Sequence, residues 1–305
     1  MIYSRNKFGH YDNYDIVLKN LTYFEVEKKL YKQLLNIFRF KKIVFLDFDG
    51  VHLLFFPFII IRSLIGKKSI MFSIRTNMLS KKGIRSFIQR NIFYVIRNLK
   101  NCKILSIHKE ANESSYSRYI NHFIYDIQNW DLPFLKIPFK KPKELKSFQF
   151  NNTTVLLFGV LNKKRMMDEW IKFLKLKKTF NFKLIIAGKN HHINFQNTNK
   201  NIFLINRFIP DEEMLFLFKN VNFILCYRNE NVQYPSGIFG RGIQFQKKVI
   251  VKKGDFLDKF YNKSKALICI NSLLELEDSV EKFQHLNPEK FNLDSSRDLE
   301  RILLA

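Results

Sequence analysis

The stretch KIVFLDFDGVHLLFFPFIIIRSLIGKKSIMFSIRT, residues 42–76, carries the first reading of the fold. KIVFLDF is a short β-branched and aromatic run bounded by Gly50, which predicts a strand buried on both faces. LLFFPFIIIRSLIG predicts a helix with Pro57 in its first turn, where a missing N–H is tolerated, and Gly66 at its stop. KKSIMFSIRT predicts the next strand. Strand, helix, strand in this order is a parallel βαβ unit. The basic run KKGIRSFIQRNIFYVIRNLK, 81–100, extends the alternation as a helix, and CKILSIH as a third strand. Upstream, LTYFEVEKKLYKQLLNIFRF, 21–40, repeats apolar residues at three- and four-residue intervals and predicts one helix.

A second alternation follows a break. Between about Pro133 and Thr153 the chain reads PFLKIPFKKPKELKSFQFNNT, with three prolines and many lysines, which predicts a linker. Beyond it, TTVLLFGV, FKLIIAG, NIFLINRF, NFILCY and KKVIVKK read as strands. KRMMDEWIKFLKLKK, PDEEMLFLFKNV and SGIFGRGIQFQ read as the helices between them. Pro210 and three acids open the second of these helices, where the dipole favours negative charge. LDSSRDLERILLA predicts a closing helix capped by Asp294 or Ser295. A chain of 305 residues accommodates two cores of this kind. The expected division is 1–138, a linker over 139–152, and 153–305. Ligands of parallel sheets bind at the carboxyl ends of the strands, and a two-domain chain of this type is expected to hold them between its domains.

The formal charge of +25 attracts polyanions. The basic residues are scattered in KK pairs rather than gathered in an arm, and no nucleic-acid-binding signature is present, so nucleic acid is not the expected partner. A solvated lysine-rich surface and an anionic membrane surface both fit; the basic helix at 81–100 suits the second. Cys102, Cys226 and Cys269 are widely spaced and read as small buried residues of a reducing compartment. The first residues lack the apolar core of a signal peptide, and the most apolar stretch is too short to span a bilayer. The expectation is a cytoplasmic protein, peripheral at the inner face of the cell membrane.

Asp47, Asp49, Gly50 and Val51 spell DxDGV at a strand end, as in the nucleophile loop of haloacid-dehalogenase-type phosphatases. That chemistry also needs a distal acidic pair to hold Mg²⁺. The one candidate, Asp255 and Asp258 in GDFLD, is spaced one residue short. A phosphatase therefore stands as an alternative, beside the reading of both aspartates as polar residues ending a buried strand.

LLFGVLNKKRMMDEWIKFL places Gly159, Lys164 and Arg165 between a strand and a helix. There a glycine admits close backbone approach, helix N–H groups point at phosphate, and a cation neutralises a leaving group. This segment, FKLIIAGKN, and YPSGIFGRGIQFQKKVIV together resemble the donor domain of GT-B glycosyltransferases, of the family-4 type found in bacterial polysaccharide assembly. The first half is similar in Asp49, His52, Pro57 and Gly66-Lys67-Lys68, over an N-terminal domain shorter than usual for the family. The resemblance implies two Rossmann-like parallel-sheet domains facing a cleft and a retaining hexosyl transfer from a nucleotide sugar. The implied acceptor is a lipid-linked or oligosaccharide glycan of surface polysaccharide synthesis, with no metal and no cofactor. It implies donor contacts from Gly159, Lys164, Arg165, Ser236, Gly237 and Arg241, with His52 and Arg165 as the catalytic pair. The family's two glutamates, eight positions apart, correspond to Gln233 and Arg241, with Glu230 nearby but out of register. A non-catalytic or degenerate copy is the other alternative this departure leaves.

Overall fold

The computed structural model describes all residues except 5–10, 75–78, 80–81, 109–115, 151–152, 161–165, 178, 190–199, 233–235, 262–265 and 286–294. The chain forms two compact units, Met1–Leu135 with Leu293–Ala305, and Lys136–Asn292.

In the first unit, β1 (Ile2–Tyr3), β2 (Val26–Glu27), β3 (Lys42–Phe45), β4 (Lys68–Ser73), β5 (Cys102–Ser106) and β6 (His122–Phe123) make one parallel sheet in the order β2-β1-β3-β4-β5-β6. Successive residues of β3 go to opposite faces: Val44 joins one core with Ile70 and Leu105, while Ile43 and Phe45 join another with Met71 and Ile104. Burial on both faces is why these strands read as unbroken apolar runs. The helices are α1 (Tyr11–Thr22), α2 (Leu30–Leu35), α3 (His52–Leu64) and α4 (Ile84–Arg97).

Two expectations are corrected here. Residues 21–40 are not one helix: α1 ends at Thr22, Tyr23 takes φ 56°, and Val26–Glu27 pair with β1 before α2 begins. A two-residue strand is recruited by its neighbour in the sheet, which local periodicity does not report. Pro57 is the sixth residue of α3 rather than in its first turn, because the helix starts at His52. Gly66 does stop α3: its amide bonds Ser63 O at 3.1 Å and that of Lys67 bonds Arg62 O at 2.8 Å, closing the last turn.

In the second unit, β7 (Thr154–Phe158), β8 (Lys183–Ala187), β9 (Ile202–Ile205), β10 (Phe223–Leu225), β11 (Lys248–Lys252) and β12 (Leu267–Ile270) are parallel in the order β12-β11-β10-β7-β8-β9. Counted from β7 this is 6-5-4-1-2-3, the order of a dinucleotide-binding sheet, with its reversal between β7 and β10. Its helices are α5 (Met167–Leu176), α6 (Asp211–Asn220), α7 (Gly237–Gln244), α8 (Phe256–Tyr261) and α9 (Leu276–Phe283). The last helix, α10 (Ser295–Leu304), belongs to the first unit, against the expectation of a second domain running to residue 305. Leu299, Ile302 and Leu303 join the core of α1 and β3, and Lys42 Nζ donates to Leu303 O at 2.7 Å.

The expected linker is also part of a unit. From Lys136 onward the chain packs into the second: Leu145 and Phe148 are buried, Phe148 meets the ring of Phe203 edge-on at 4.6 Å, and Arg207 bonds both oxygens of Glu144. Proline and lysine content suggested a linker, yet the aromatics between them supply enough apolar area to bind the segment down.

Candidate functional site

Of the residues expected to hold a donor, Gly159 lies at the carboxyl end of β7, and Ser236, Gly237 and Arg241 lie at the start of and within the helix that follows β10. Gly159 follows β7 with φ 98°, and Gly188 follows β8 with φ 146°. Their backbones touch: Gly159 N donates to Ala187 O at 2.7 Å, and a Cβ on Gly188 would lie 2.4 Å from Gly159 O. Side chains are excluded there by the neighbouring main chain, so the strand ends stay bare. Lys164 and Arg165, the expected phosphate cations, lie outside the described residues, as does Gln233. The helix that follows, α5, begins with Asp168 and Glu169 in its first turn.

Ser236 and Gly237 lie on the other side of the reversal, after β10. Ser236 is the N-cap of α7 with extended backbone and Gly237 its first residue; both are half-buried. The Cys226 thiol is 3.4 Å from Ser236 Oγ, tying the helix start to the strand end. Gly159 and the Ser236–Gly237 turn thus flank the β7/β10 switch point. Arg241 is buried within α7 at 3% exposure. The next residue, Gly242, is needed for packing, since a Cβ would meet Val249 Cγ2 at 2.8 Å.

Sequence reasoning missed the polar network beside this point. Tyr227, two residues past β10, donates to Glu169 Oε2 at 2.9 Å, and burial followed by Glu169 raises its pKa, keeping the hydroxyl protonated. Lys252, at the end of β11, stands 3.3 Å from Glu230 Oε1 and 4.0 Å from Glu169 Oε1. Glu230, out of register in sequence, is thereby held at the same strand ends. Tyrosine and glutamate 58 residues apart give no local signal of this pairing.

Asp255 and Asp258 cap a helix. Asp255 Oδ1 accepts from Asp258 N at 2.9 Å, Asp258 Oδ2 accepts from Gly254 N at 2.7 Å, and Arg228 Nη2 lies 3.4 Å from Asp255 Oδ2. Burial raises the Asp255 pKa against the opposing Arg228 charge. Cys269 is exposed rather than buried, and its thiol donates to Asp258 Oδ1 at 3.1 Å. This pair belongs to the second unit and Asp47 and Asp49 to the first, and among the described residues no group of three His, Cys, Asp or Glu is placed to hold a metal ion.

In the first unit Asp49 is buried. Its Oδ1 accepts Ser73 Oγ–H at 2.8 Å and Gln89 Nε2–H at 3.3 Å, joining the end of β3 to β4 and α4. His52 starts α3, half-buried beside the rings of Phe48 and Phe93, with Nδ1 2.9 Å from Asp49 O. A carbonyl can only accept, so in neutral His52 the Nδ1 carries the proton and Nε2 is left as an acceptor. Burial lowers its pKa, the bond to Asp49 O opposing, so the ring is neutral at pH 7. His108, two residues past β5, is almost fully buried. Its Nε2 lies 3.0 Å from Ile74 O and burial pushes its pKa down to about 4.

No protein-family model and no curated protein matches the chain. Solved structures do. HepE of Anabaena in complex with UDP aligns with a TM-score of 0.63 at 9% identity, covering 99% of this chain and 94% of that one. HepE with UDP-glucose aligns at 0.54 and 11% identity, over 93% and 89%. WaaG, a glycosyltransferase involved in lipopolysaccharide biosynthesis, aligns at 0.54 and 10% identity, over 99% and 98%. At such identities the likeness concerns the fold. The two six-stranded parallel sheets, each flanked by helices, are the two Rossmann-like domains of the GT-B fold, and in that fold the chain is like WaaG and HepE.

Proposed function

We propose that the chain transfers a sugar from a nucleotide sugar to a glycan acceptor, lipid-linked and met at the cytoplasmic membrane face. One observation carries this reading. In a sheet of dinucleotide-binding order, Gly159 and the Ser236–Gly237 turn flank the strand reversal, where such sheets take phosphorylated ligands. HepE, of like fold, was solved with UDP and with UDP-glucose, which supports a nucleotide sugar as the donor. The bare glycine strand ends admit a diphosphate close to the main chain. Lys164 and Arg165, between β7 and α5 in sequence, neutralise it as it departs, and Arg suits this task because its planar fork matches phosphate. Ser236 and Gly237 receive the nucleoside side, with Arg241 supporting them from within α7.

His52, neutral and with Nε2 free to accept in its favoured tautomer, positions a sugar hydroxyl rather than attacking it. The chemistry is a direct displacement or a same-face transfer, without a cofactor or a covalent enzyme intermediate. A phosphatase fits less well, because Asp49 is tied to Ser73 and Gln89 and the distal pair caps a helix.

The test is turnover and donor affinity of Arg165→Ala. Removing a preformed electrostatic contact to the leaving group should lower kcat by about a hundredfold or more. Unchanged turnover and donor affinity would refute the role. Saturable donor binding without turnover on any glycan acceptor would point to a non-catalytic copy.

A further inference from the structure

We infer that Tyr227 and Lys252 are positioning residues for the diphosphate, acting through Glu169. They hold the first turn of α5 in place and neutralise a carboxylate that would otherwise repel the phosphates. The inference rests on the donor site proposed above.

The start of α5 is ill-suited to an anion. Met166 stands at its N-cap with φ 54° and no side-chain cap, while Asp168 and Glu169 occupy the first turn. Carboxylates there take up the positive end of the helix dipole, which a phosphate would use. Asp168 is exposed, and water and salt screen it. Glu169 is instead countered by the protein. Its Oε2 accepts from the buried Tyr227 hydroxyl at 2.9 Å, and its Oε1 lies 4.0 Å from Lys252 Nζ. Lys252 lies 5.9 Å from the centre of the Tyr227 ring and 3.3 Å from Glu230 Oε1. Its side chain is 18% exposed, against 41% for Glu169 and 56% for Glu230, so the ammonium is set deeper than the carboxylates it faces. With two carboxylates this close, its charge is satisfied within the protein, and its part is to neutralise rather than to bind a ligand.

The clamp crosses the strand reversal. Tyr227 follows β10 and Lys252 ends β11, whereas Glu169 belongs to the helix after β7. Cys226, next to Tyr227, contacts Ser236 Oγ at the head of α7. One line of contacts therefore joins the start of α5, which follows Lys164 and Arg165 in sequence, to the start of α7.

The test has two arms, and the first needs no ligand. In a Trp130→Phe background Trp170 is the only tryptophan, and its amide closes the first turn of α5 by bonding Met166 O at 3.1 Å. Tyr227→Phe keeps the ring and removes the hydroxyl, and should speed hydrogen exchange of that amide by about tenfold. Exchange as slow as the parent's would overturn the clamp. The second arm is calorimetric titration with UDP, GDP and ADP. Lys252→Met should weaken the nucleotide that the parent binds by about tenfold, and more at low salt than at high. Lys252→Arg should bind like the parent. Adding Glu169→Gln to Lys252→Met should restore affinity, because with the carboxylate gone no neutralising charge is needed; a lysine that served only stability would not be rescued in this way. Lys183→Gln, the same charge loss at the amino end of β8, should change nothing. Lys252→Met binding like the parent would overturn the inference. So would a double variant no better than Lys252→Met, which would make Lys252 a direct ligand contact. A parent that binds none of the three nucleotides would overturn the donor reading and the neutralising role together, while exchange in Tyr227→Phe still decides whether the clamp holds α5.

Discussion

The ends of β3, β4 and β5 in the first unit contrast with those of β7 and β8 in the second. In the first, the ends of β3, β4 and β5 are stitched by buried side chains: Asp49 accepts from Ser73 and Gln89, and His108 bonds Ile74 O while its amide donates to Ser106 Oγ. In the second, β7 and β8 end in glycines whose main chains touch, with no side chain between them. Buried polar stitching spends donors and acceptors on the protein itself. Glycine ends carry no side chain and leave the main chain open to close approach. The difference teaches where to look for phosphate: Asp49, conspicuous in sequence, is tied to Ser73 and Gln89, and the plainer glycines border the candidate site.

The comparison can be broken by mutation, and the molecule supplies separate reporters. It has two tryptophans, Trp130 in the first unit and Trp170 in the second, both buried. Trp130→Phe and Trp170→Phe backgrounds therefore follow one unit each. The largest effect is expected for Gly188→Ala. A Cβ 2.4 Å from Gly159 O, on backbone at φ 146°, should cost the second unit about 4 kcal/mol from overpacking and strain together, read as a lower denaturant midpoint at Trp170. A midpoint within experimental error of the parent would show that the two turns are not in contact.

Next comes acid. Unfolded histidine binds its proton near pH 6.5, whereas folded His108 does so near about 4. Its contribution is thus fully present above pH 6.5 and lost as the pH falls toward 4. The first unit should lose about 3 kcal/mol over that window, and His108→Gln should flatten the slope seen at Trp130. An unchanged slope would place the acid sensitivity elsewhere. Asp49→Ala leaves Ser73 and Gln89 without their shared acceptor inside the protein, at a cost of about 2 kcal/mol to the same unit. If Asp49 were a nucleophile instead, this variant would abolish activity while sparing stability. The smallest effect is expected at the surface. Arg207 holds the Glu144 carboxyl down to about 2, but the pair is solvated, so Glu144→Gln should cost under about 1 kcal/mol and less in high salt.

How much of this was legible in the sequence depended on whether the cause was local. The βαβ rhythm was readable because strands buried on both faces leave continuous apolar runs, as in KIVF and KLIIA. The glycine turns were readable because only their residue type tolerates the main-chain approach. What failed was set by distant partners. Val26–Glu27 become a strand because β1 lies beside them, and Leu299 and Leu303 return α10 to the first unit because a core there accepts them. Residues 136–150 looked like a tether until Phe148 found Phe203. In the candidate site, Gly159, Ser236 and Gly237 could be singled out by type and position, whereas Tyr227, Glu169 and Lys252 meet only through the fold.

The central claim is that the second unit's strand reversal holds a nucleoside diphosphate. The direct measurement is unfolding at Trp170, in the Trp130→Phe background, with UDP, GDP, ADP or CMP, each with and without Mg²⁺. Ligand at a hundred times its dissociation constant should stabilise that unit by about 2.7 kcal/mol. The account predicts this shift for one nucleoside diphosphate without metal, and its loss in Arg165→Ala. Stabilisation seen instead at Trp130, and only with Mg²⁺ and a phosphate analogue, would contradict it and return Asp47 and Asp49 to the chemistry.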